Sequence, residues 1–329
     1  MTRKLAVFFV LSFFFVSCTR NEKDHGSFRV GINQSIKSAP VVLASSFGLF
    51  EKEGLVVETE VESSAVDLMN GLFSKKYDLV TVPGYRAIVN SYKRDDFRII
   101  AVLNRNQSRS LVMNAQVLEN PANLVGKRIG LATNSAADFT LYRLLLFNNI
   151  VESQVQILYY DPADLSGALA NGEVDAIISW EPFTSEAMSL LGDNARVVNA
   201  HMGRDMYWLL VTRSEIIETR SKDLSALLLA LDKAISRLNK NTSNSLKTVA
   251  TALSLSPDLL FKEWDDYIFH LELPQSLLLS MEQEASWYKE RIREKPLIID
   301  FLDLIDGRPL SQEFKRRVSI VGLGEADAP

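Results

Sequence analysis

Short apolar runs alternate with amphipathic stretches along most of this chain. Phe28 to Ile32, Leu55 to Val61, Tyr77 to Val82, Arg98 to Leu103 and Ser110 to Met113 read as strands. Between them, Ala39 to Phe47 carries apolar residues at Val42, Leu43 and Phe47, and Gly48 ends that helix at the C-cap position. Ser63-Ser64-Ala65 caps a helix from about Val66 to Phe73, and Pro83-Gly84-Tyr85 turns the chain after the third strand. The pattern restarts with strands at Arg128 to Ala132, Gln154 to Tyr159 and Ala176 to Ser179, separated by helical segments. Alternation of this kind predicts mostly parallel sheet covered by helices on both faces. After a last strand, Tyr207 to Thr212, the pattern predicts helix almost to the end. Leu224 to Leu238 is strongly periodic, Pro257, Pro274 and Pro296 mark helix starts, and Glu325 to Pro329 reads as a frayed tail.

One stretch, Asn123 to Asn149, concentrates the chemistry of that alternation. It gives a tight turn at Gly126-Lys127, a buried strand from Arg128 to Ala132, the polar loop Thr133-Asn134-Ser135, and a helix beginning near Ala136. Phe139, Tyr142, Leu145 and Leu146 recur at helical spacing, and Ser135 with Asp138 has the form of a capping box. In open α/β sheets a loop running from a strand's carboxyl end into a helix is where ligands bind, and free N–H groups there favour an anionic or accepting group. An ordinary capped helix has the same residues.

Composition narrows the classes. A length of 329 residues suits two domains, and 47% apolar with 23% charged residues is ordinary globular composition. A formal charge of −5 without a long run of one sign gives nothing that points to nucleic acid, and no such partner is expected. His25, His201 and His270 lie far apart and Cys18 is alone, so no metal cluster or disulfide framework is expected. No GxGxxG and no Walker loop is present, and no cofactor is expected.

The N-terminus reads as a targeting segment. Thr2-Arg3-Lys4 is a basic start, and Leu5 to Val16 is an apolar run too short to span a membrane. It leads into Cys18 and the polar tether Thr19 to Ser27. The placement of Cys18 resembles the lipobox of bacterial lipoproteins, in which the cysteine is lipidated and becomes the mature N-terminus; Phe15 stands where leucine is usual. A cleaved secretory signal ending near a cysteine is the alternative, and both export the folded part.

Five segments, in order, resemble the SsuA/THI5-like (NMT1) substrate-binding proteins of ABC importers. They are Gly48-Leu49-Phe50-Glu51-Lys52-Glu53-Gly54-Leu55, the Leu68 to Asp78 segment, Leu124-Val125-Gly126-Lys127-Arg128-Ile129-Gly130, Ala168 to Ala176, and Trp180-Glu181-Pro182. The resemblance covers roughly Phe28 to Ser256. One departure is Asp67-Leu68-Met69-Asn70-Gly71 where the family usually begins Ala-Leu, with Ser74-Lys75-Lys76 replacing a glycine-containing turn. The resemblance implies a type II periplasmic-binding-protein fold: two α/β lobes joined by two hinge crossovers, with a helical C-terminal extension. The implied division is 1–18 signal peptide, 19–27 tether, 28–112 and 208–329 lobe 1, and 113–207 lobe 2. Strands Ser110 to Met113 and Tyr207 to Thr212 would carry the crossovers.

In such a fold the ligand lies between the lobes. The implied contacts are Ile36, Ser38, Ser64, Ala65, Pro83, Tyr85, Asn134, Ser135, Ala136, Trp180, Glu181 and Tyr207. Ser64 is also an ordinary N-cap, and Tyr85 also suits covering a sheet edge. Trp180 reads as an aromatic wall for a cleft. Glu181 either faces the cleft, welcoming an amine, or pairs outward with a lysine or arginine. Lys37 either favours an anion or is a solvated loop lysine. The resemblance implies a non-catalytic, monomeric, lipid-anchored capture protein at the periplasmic or outer face of the membrane. Its partners would be a small organic anion or heteroaromatic compound and an ABC permease and ATPase. The alternatives are a THI5-like pyrimidine-precursor synthase, whose cysteine-rich motif this chain lacks, and a ligand-sensing lipoprotein without a transporter.

Overall fold

The computed structural model describes residues 26–62, 64–292 and 300–323. Cys18 with the signal, the tether as far as His25, Ser63, Pro296 and the segment Glu325 to Pro329 lie outside the described residues, while Gly26 and Ser27, expected in the tether, begin the first strand.

The strands in chain order are β1 (Gly26–Asn33), β2 (Leu55–Glu62), β3 (Leu79–Pro83), β4 (Phe97–Asn106), β5 (Ser110–Asn114), β6 (Arg128–Ala132), β7 (Gln156–Tyr160), β8 (Ala176–Ser179), β9 (Ala195–Asn199), β10 (Met206–Arg213) and β11 (Tyr267–Glu272). They form two sheets, one of six strands in the order β11-β4-β10-β3-β1-β2 and one of five in the order β7-β6-β8-β5-β9. With their helices these sheets make lobe 1 and lobe 2. The chain passes from lobe 1 to lobe 2 through residues 107–109 and returns through 200–205, between named strands.

That path corrects three sequence expectations. Both sheets are mixed rather than mostly parallel: β1, β2 and β3 are parallel to one another, but β10 runs antiparallel to β3 and β4, and β5 antiparallel to β8 and β9. The strands that follow each crossing enter from the opposite lobe and so run against their neighbours. Residues 110–112 belong to the second sheet, because β5 pairs there from Ser110 onward. The C-terminal third is not all helix, since β11 pairs with β4. Its alternation was readable: Tyr267, Phe269 and Leu271 are buried while Ile268 and His270 face out.

The cores follow from the periods. On helix Ser214–Lys240 the buried residues Leu224, Leu227, Leu228, Leu231, Ala234, Ile235 and Leu238 fall on one face toward the six-stranded sheet. The helix is broken at Arg220, whose guanidinium covers the Phe28 ring at 3.7 Å and donates to Ser27 O at 2.6 Å. Gly31 and Gly71 make room for the Tyr77 ring: an added Cβ would lie 2.8 and 2.5 Å from its atoms. Lys75 takes φ 62°, a left-handed conformation natural to glycine, at the turn where this chain departs from the family pattern. Lobe 2 buries Leu111, Met113, Leu131 and Ile178 on one face of its sheet, and Val112 and Ile177 on the other. Among the described residues no helix is long and apolar enough to cross a membrane.

Candidate ligand-binding cleft

A cavity of about 690 Å³ opens between the lobes at the ends of β1, β3, β6 and β8. Lobe 1 lines it with Ser64, Ala65, Pro83, Tyr85 and Tyr207, and lobe 2 with Asn134, Ser135, Ala136, Trp180 and Glu181. The loops that carry these residues are separate in sequence and meet because each leaves its strand on the same side of its sheet.

Two of the expected contacts are not there. Ile36 is fully buried in the lobe 1 core, its apolar side chain having been drawn inward. Ser38 is equally buried; its hydroxyl donates to Asn33 O at 2.8 Å and accepts from Asn33 N at 3.2 Å, which shapes the loop after β1 without lining the cavity. Lys37, between them, does line it.

The loop after β6 differs from the expected capping box. Ser135 Oγ donates to Ala132 O at 2.8 Å and accepts from Ala137 N at 3.1 Å, while Asp138 is bonded by the Tyr159 hydroxyl. Asn134 adopts φ 54°, and the main-chain N–H groups of Asn134, Ser135 and Ala136 carry no bond among the described residues. Those free donors suit an accepting oxygen. Ser64 is a conventional cap: its hydroxyl accepts from Asp67 N at 3.1 Å and donates to Asp67 Oδ2 at 2.7 Å. Tyr207 turns its hydroxyl to Ser276 Oγ at 2.8 Å, leaving a ring wall in the cleft.

Glu181 is paired. Lys262, on the lobe 1 helix Pro257–Glu263, reaches it at 3.1 Å and Ser185 Oγ at 2.8 Å, while Glu181 Oε2 accepts from Ser185 N at 3.0 Å. The carboxylate is thereby neutralised by a bridge between the lobes, and the cleft keeps little free negative charge from it.

The cations were less legible. Arg109, in the first crossing, stacks on Trp180 with its guanidinium 4.1 Å from the ring centroid. Its Nε and Nη1 are buried without a partner, and burial pulls the group down to about 10, so it remains charged at neutral pH. Lys37 stands 5.4 Å from the Trp208 ring centroid and 5.8 Å from that of Tyr267. Burial lowers its ammonium to about 8, with Glu263 opposing and Arg109 adding to the shift. Glu263 itself is pushed up to about 7 by burial, against the pull of Lys37. Arg86 donates to Asn134 O across the cleft, and Arg204, in the second crossing, donates to Glu284 at 2.7 Å. Arg109 stood in a polar run, Arg105 to Arg109, between two apolar strands; that interruption at a lobe crossing was the signal available.

Two α/β lobes joined by two crossings, with a cavity at the strand ends between them, make the periplasmic-binding-protein fold. A family model described as NMT1/THI5 like matches residues 35–244, and the chain belongs to that family. A putative aliphatic sulfonates-binding protein of Bacillus subtilis (strain 168) is 24% identical over 323 residues, covering 93% of this chain and 95% of the relative. The periplasmic aliphatic sulphonate binding protein SsuA from Escherichia coli is similar in fold, with TM-score 0.72 at 17% identity, over 83% of this chain and 94% of that one. The alkanesulfonate-binding protein SsuA from Xanthomonas axonopodis pv. citri, solved with MOPS, gives TM-score 0.67 at 20% identity, over 82% and 95%.

Proposed function

We propose that this chain is the non-catalytic, extracytoplasmic solute-binding component of an ABC importer, and that it closes its two lobes around a small organic anion of the sulfonate class. The observation that carries the anion is Arg109. A charged guanidinium with unpartnered buried donors is costly to hold, and an oxyanion in the cleft offsets that cost. Lys37 adds positive potential, the free N–H groups of Asn134 to Ala136 add donors, and Trp180 and Tyr207 give an organic body apolar walls. The names of the relatives support the same ligand class.

Titration calorimetry with a series of alkanesulfonates tests this. Arg109→Gln should weaken binding roughly tenfold to a hundredfold, the range for losing a hydrogen bond to a charged group. Equal affinity in the variant, or no heat with any sulfonate or carboxylate, would sink the reading. Membrane attachment through Cys18 is part of the proposal and rests on the sequence alone. Cys18→Ala should release the protein from membranes into the soluble fraction, and retention after a high-salt wash would refute the anchor.

A further inference from the structure

A second crevice, of about 430 Å³, adjoins the cleft and shares Tyr85, Thr133 and Asn134 with it. Its walls are aromatic and come from both lobes: Tyr85, Trp287 and Tyr288 from lobe 1, Tyr142 and Tyr159 from lobe 2. The rings are not packed flat against one another. Tyr85 meets Tyr288 edge-on at 6.1 Å between centroids, and Tyr142 lies tilted to Trp287 at 6.2 Å.

Two cations already use some of these faces: the Arg86 guanidinium lies 5.1 Å from the Tyr85 centroid, and Arg291 covers two further rings. The Arg291 guanidinium lies 5.2 Å from the Tyr142 centroid and 4.5 Å from that of Trp287, and it donates to Glu152 at 2.5 Å. Asp138, in the first turn of helix Ala137–Phe147, is different: it is half-buried in the crevice with no ion pair among the described residues. Its side-chain donor is the Tyr159 hydroxyl. The charged groups facing it are Glu152 and Arg291, so the crevice holds two carboxylates against one guanidinium. Burial pushes the Asp138 carboxyl up, as expected of a carboxylate lacking a counter-ion.

We propose that this crevice is a second ligand site, which accepts a small organic ammonium ion with Asp138 as its counter-ion and the Tyr85, Tyr142, Tyr159 and Tyr288 rings as its walls. Alkylated ammonium ions are weakly hydrated and bind over ring faces, where the quadrupole presents negative charge, while Asp138 supplies the full charge. A metal ion fits less well, because the aromatic walls supply few oxygen ligands. The site is separate in sign from the anion cleft: the cations there, Arg109 and Lys37, do not line the crevice. Since its walls belong to both lobes, an occupant joins them, and cation binding favours the closed arrangement.

Choline and its uncharged carbon isostere 3,3-dimethylbutan-1-ol distinguish charge from shape. On the full chain, calorimetry should show choline binding about tenfold or more tightly than the isostere, the range expected from a desolvated cation–ring contact with a carboxylate. Asp138→Asn, which keeps size and the Tyr159 contact, should lose about tenfold or more of the choline affinity while melting like the unmodified chain. A saturating alkanesulfonate should leave choline bound. The proposal is overturned if the isostere matches choline, if choline gives no heat, if Asp138→Asn binds it equally, or if the sulfonate competes it off. The Arg109→Gln titration is independent of all four results, so failure here leaves the anion reading standing.

Discussion

Lobe 1 gathers one continuous core from Phe28 to Ile320 around a six-stranded sheet, whereas lobe 2 divides its apolar residues between the two faces of a five-stranded one. The division of labour at the cleft follows this difference. Lobe 1 and the two crossings supply the cations, Lys37, Arg86, Arg109 and Arg204, while lobe 2 supplies Trp180, the paired Glu181 and the free N–H groups after β6. Positive charge is thus held by the crossings and the better-buried half, where a low dielectric and rigid packing keep it in place. The contrast teaches that the lobes are unequal partners: one is the frame, the other the lighter jaw.

Stability measurements give the largest expected effect. Leu210 lies at the centre of β10 and is fully buried, so Leu210→Ala should destabilise the chain by about 4 kcal/mol, toward the upper end for such substitutions. Leu144, on the lobe 2 helix Ala137–Phe147, is 2% exposed near a surface that can relax, and Leu144→Ala should cost nearer ~2 kcal/mol. Denaturant unfolding of both variants reads the difference, and equal losses would remove the frame-and-jaw contrast. Binding comes next. Trp180→Ala should cost a bound sulfonate ~2 kcal/mol or more, about thirtyfold in affinity. Calorimetry should find that loss with the lobe 1 residues untouched; an unchanged affinity would leave the aromatic wall without a role.

The smallest effect is in pH. Lys37 titrates near 8, so its ammonium is present below that value and lost as pH rises through it. An anion in the cleft favours the charged form, so binding takes up protons in this window. Glu263, near 7, acts in the same direction by gaining charge as pH rises. Sulfonate affinity should therefore fall several-fold, on the order of 1 kcal/mol, between neutral and mildly alkaline pH. Affinity that rises over that range would contradict the placement of Lys37.

The strand–helix alternation was legible because each buried element keeps its period. Helix Ala39–Ser46 and strands β1, β2, β3, β5, β6, β7, β8 and β10 fall within a residue or two of where the pattern put them, whereas β4 runs on past Leu103 to Asn106 and β9 and β11 had no counterpart in the expected pattern. What the pattern could not give was direction. Nothing in the residues of β5 or β10 distinguishes an antiparallel from a parallel strand buried on both faces, so the mixed sheets were out of reach. At the site, the loops after strands were identifiable from turn residues and position, and Trp180, Asn134 and Tyr85 do line the cavity. The partners of long side chains were not: that Glu181 would meet Lys262, or that Arg109 would lie under Trp180, depends on segments brought together only by the fold. Lys37 illustrates the limit best. A polar loop predicts a solvated lysine, and only the arrival of Trp208 and Tyr267 places it among rings.

The order β11-β4-β10-β3 has a further consequence, in the time domain. β10 fills a slot between β4 and β3, but its residues follow the whole of lobe 2 in the chain. During synthesis, lobe 2 emerges as one unbroken segment whose contacts are comparatively local, and it can close without waiting for anything downstream. Lobe 1 cannot. Its two halves stay as unjoined sheet edges until Met206–Arg213 appears, and β11 comes later still. The larger and more deeply packed lobe is thus the last to be completed, and β3 and β4 expose edges until then. A protein built this way meets its greatest aggregation hazard late in folding, when lobe 2 is already formed and the central strand of lobe 1 is still missing.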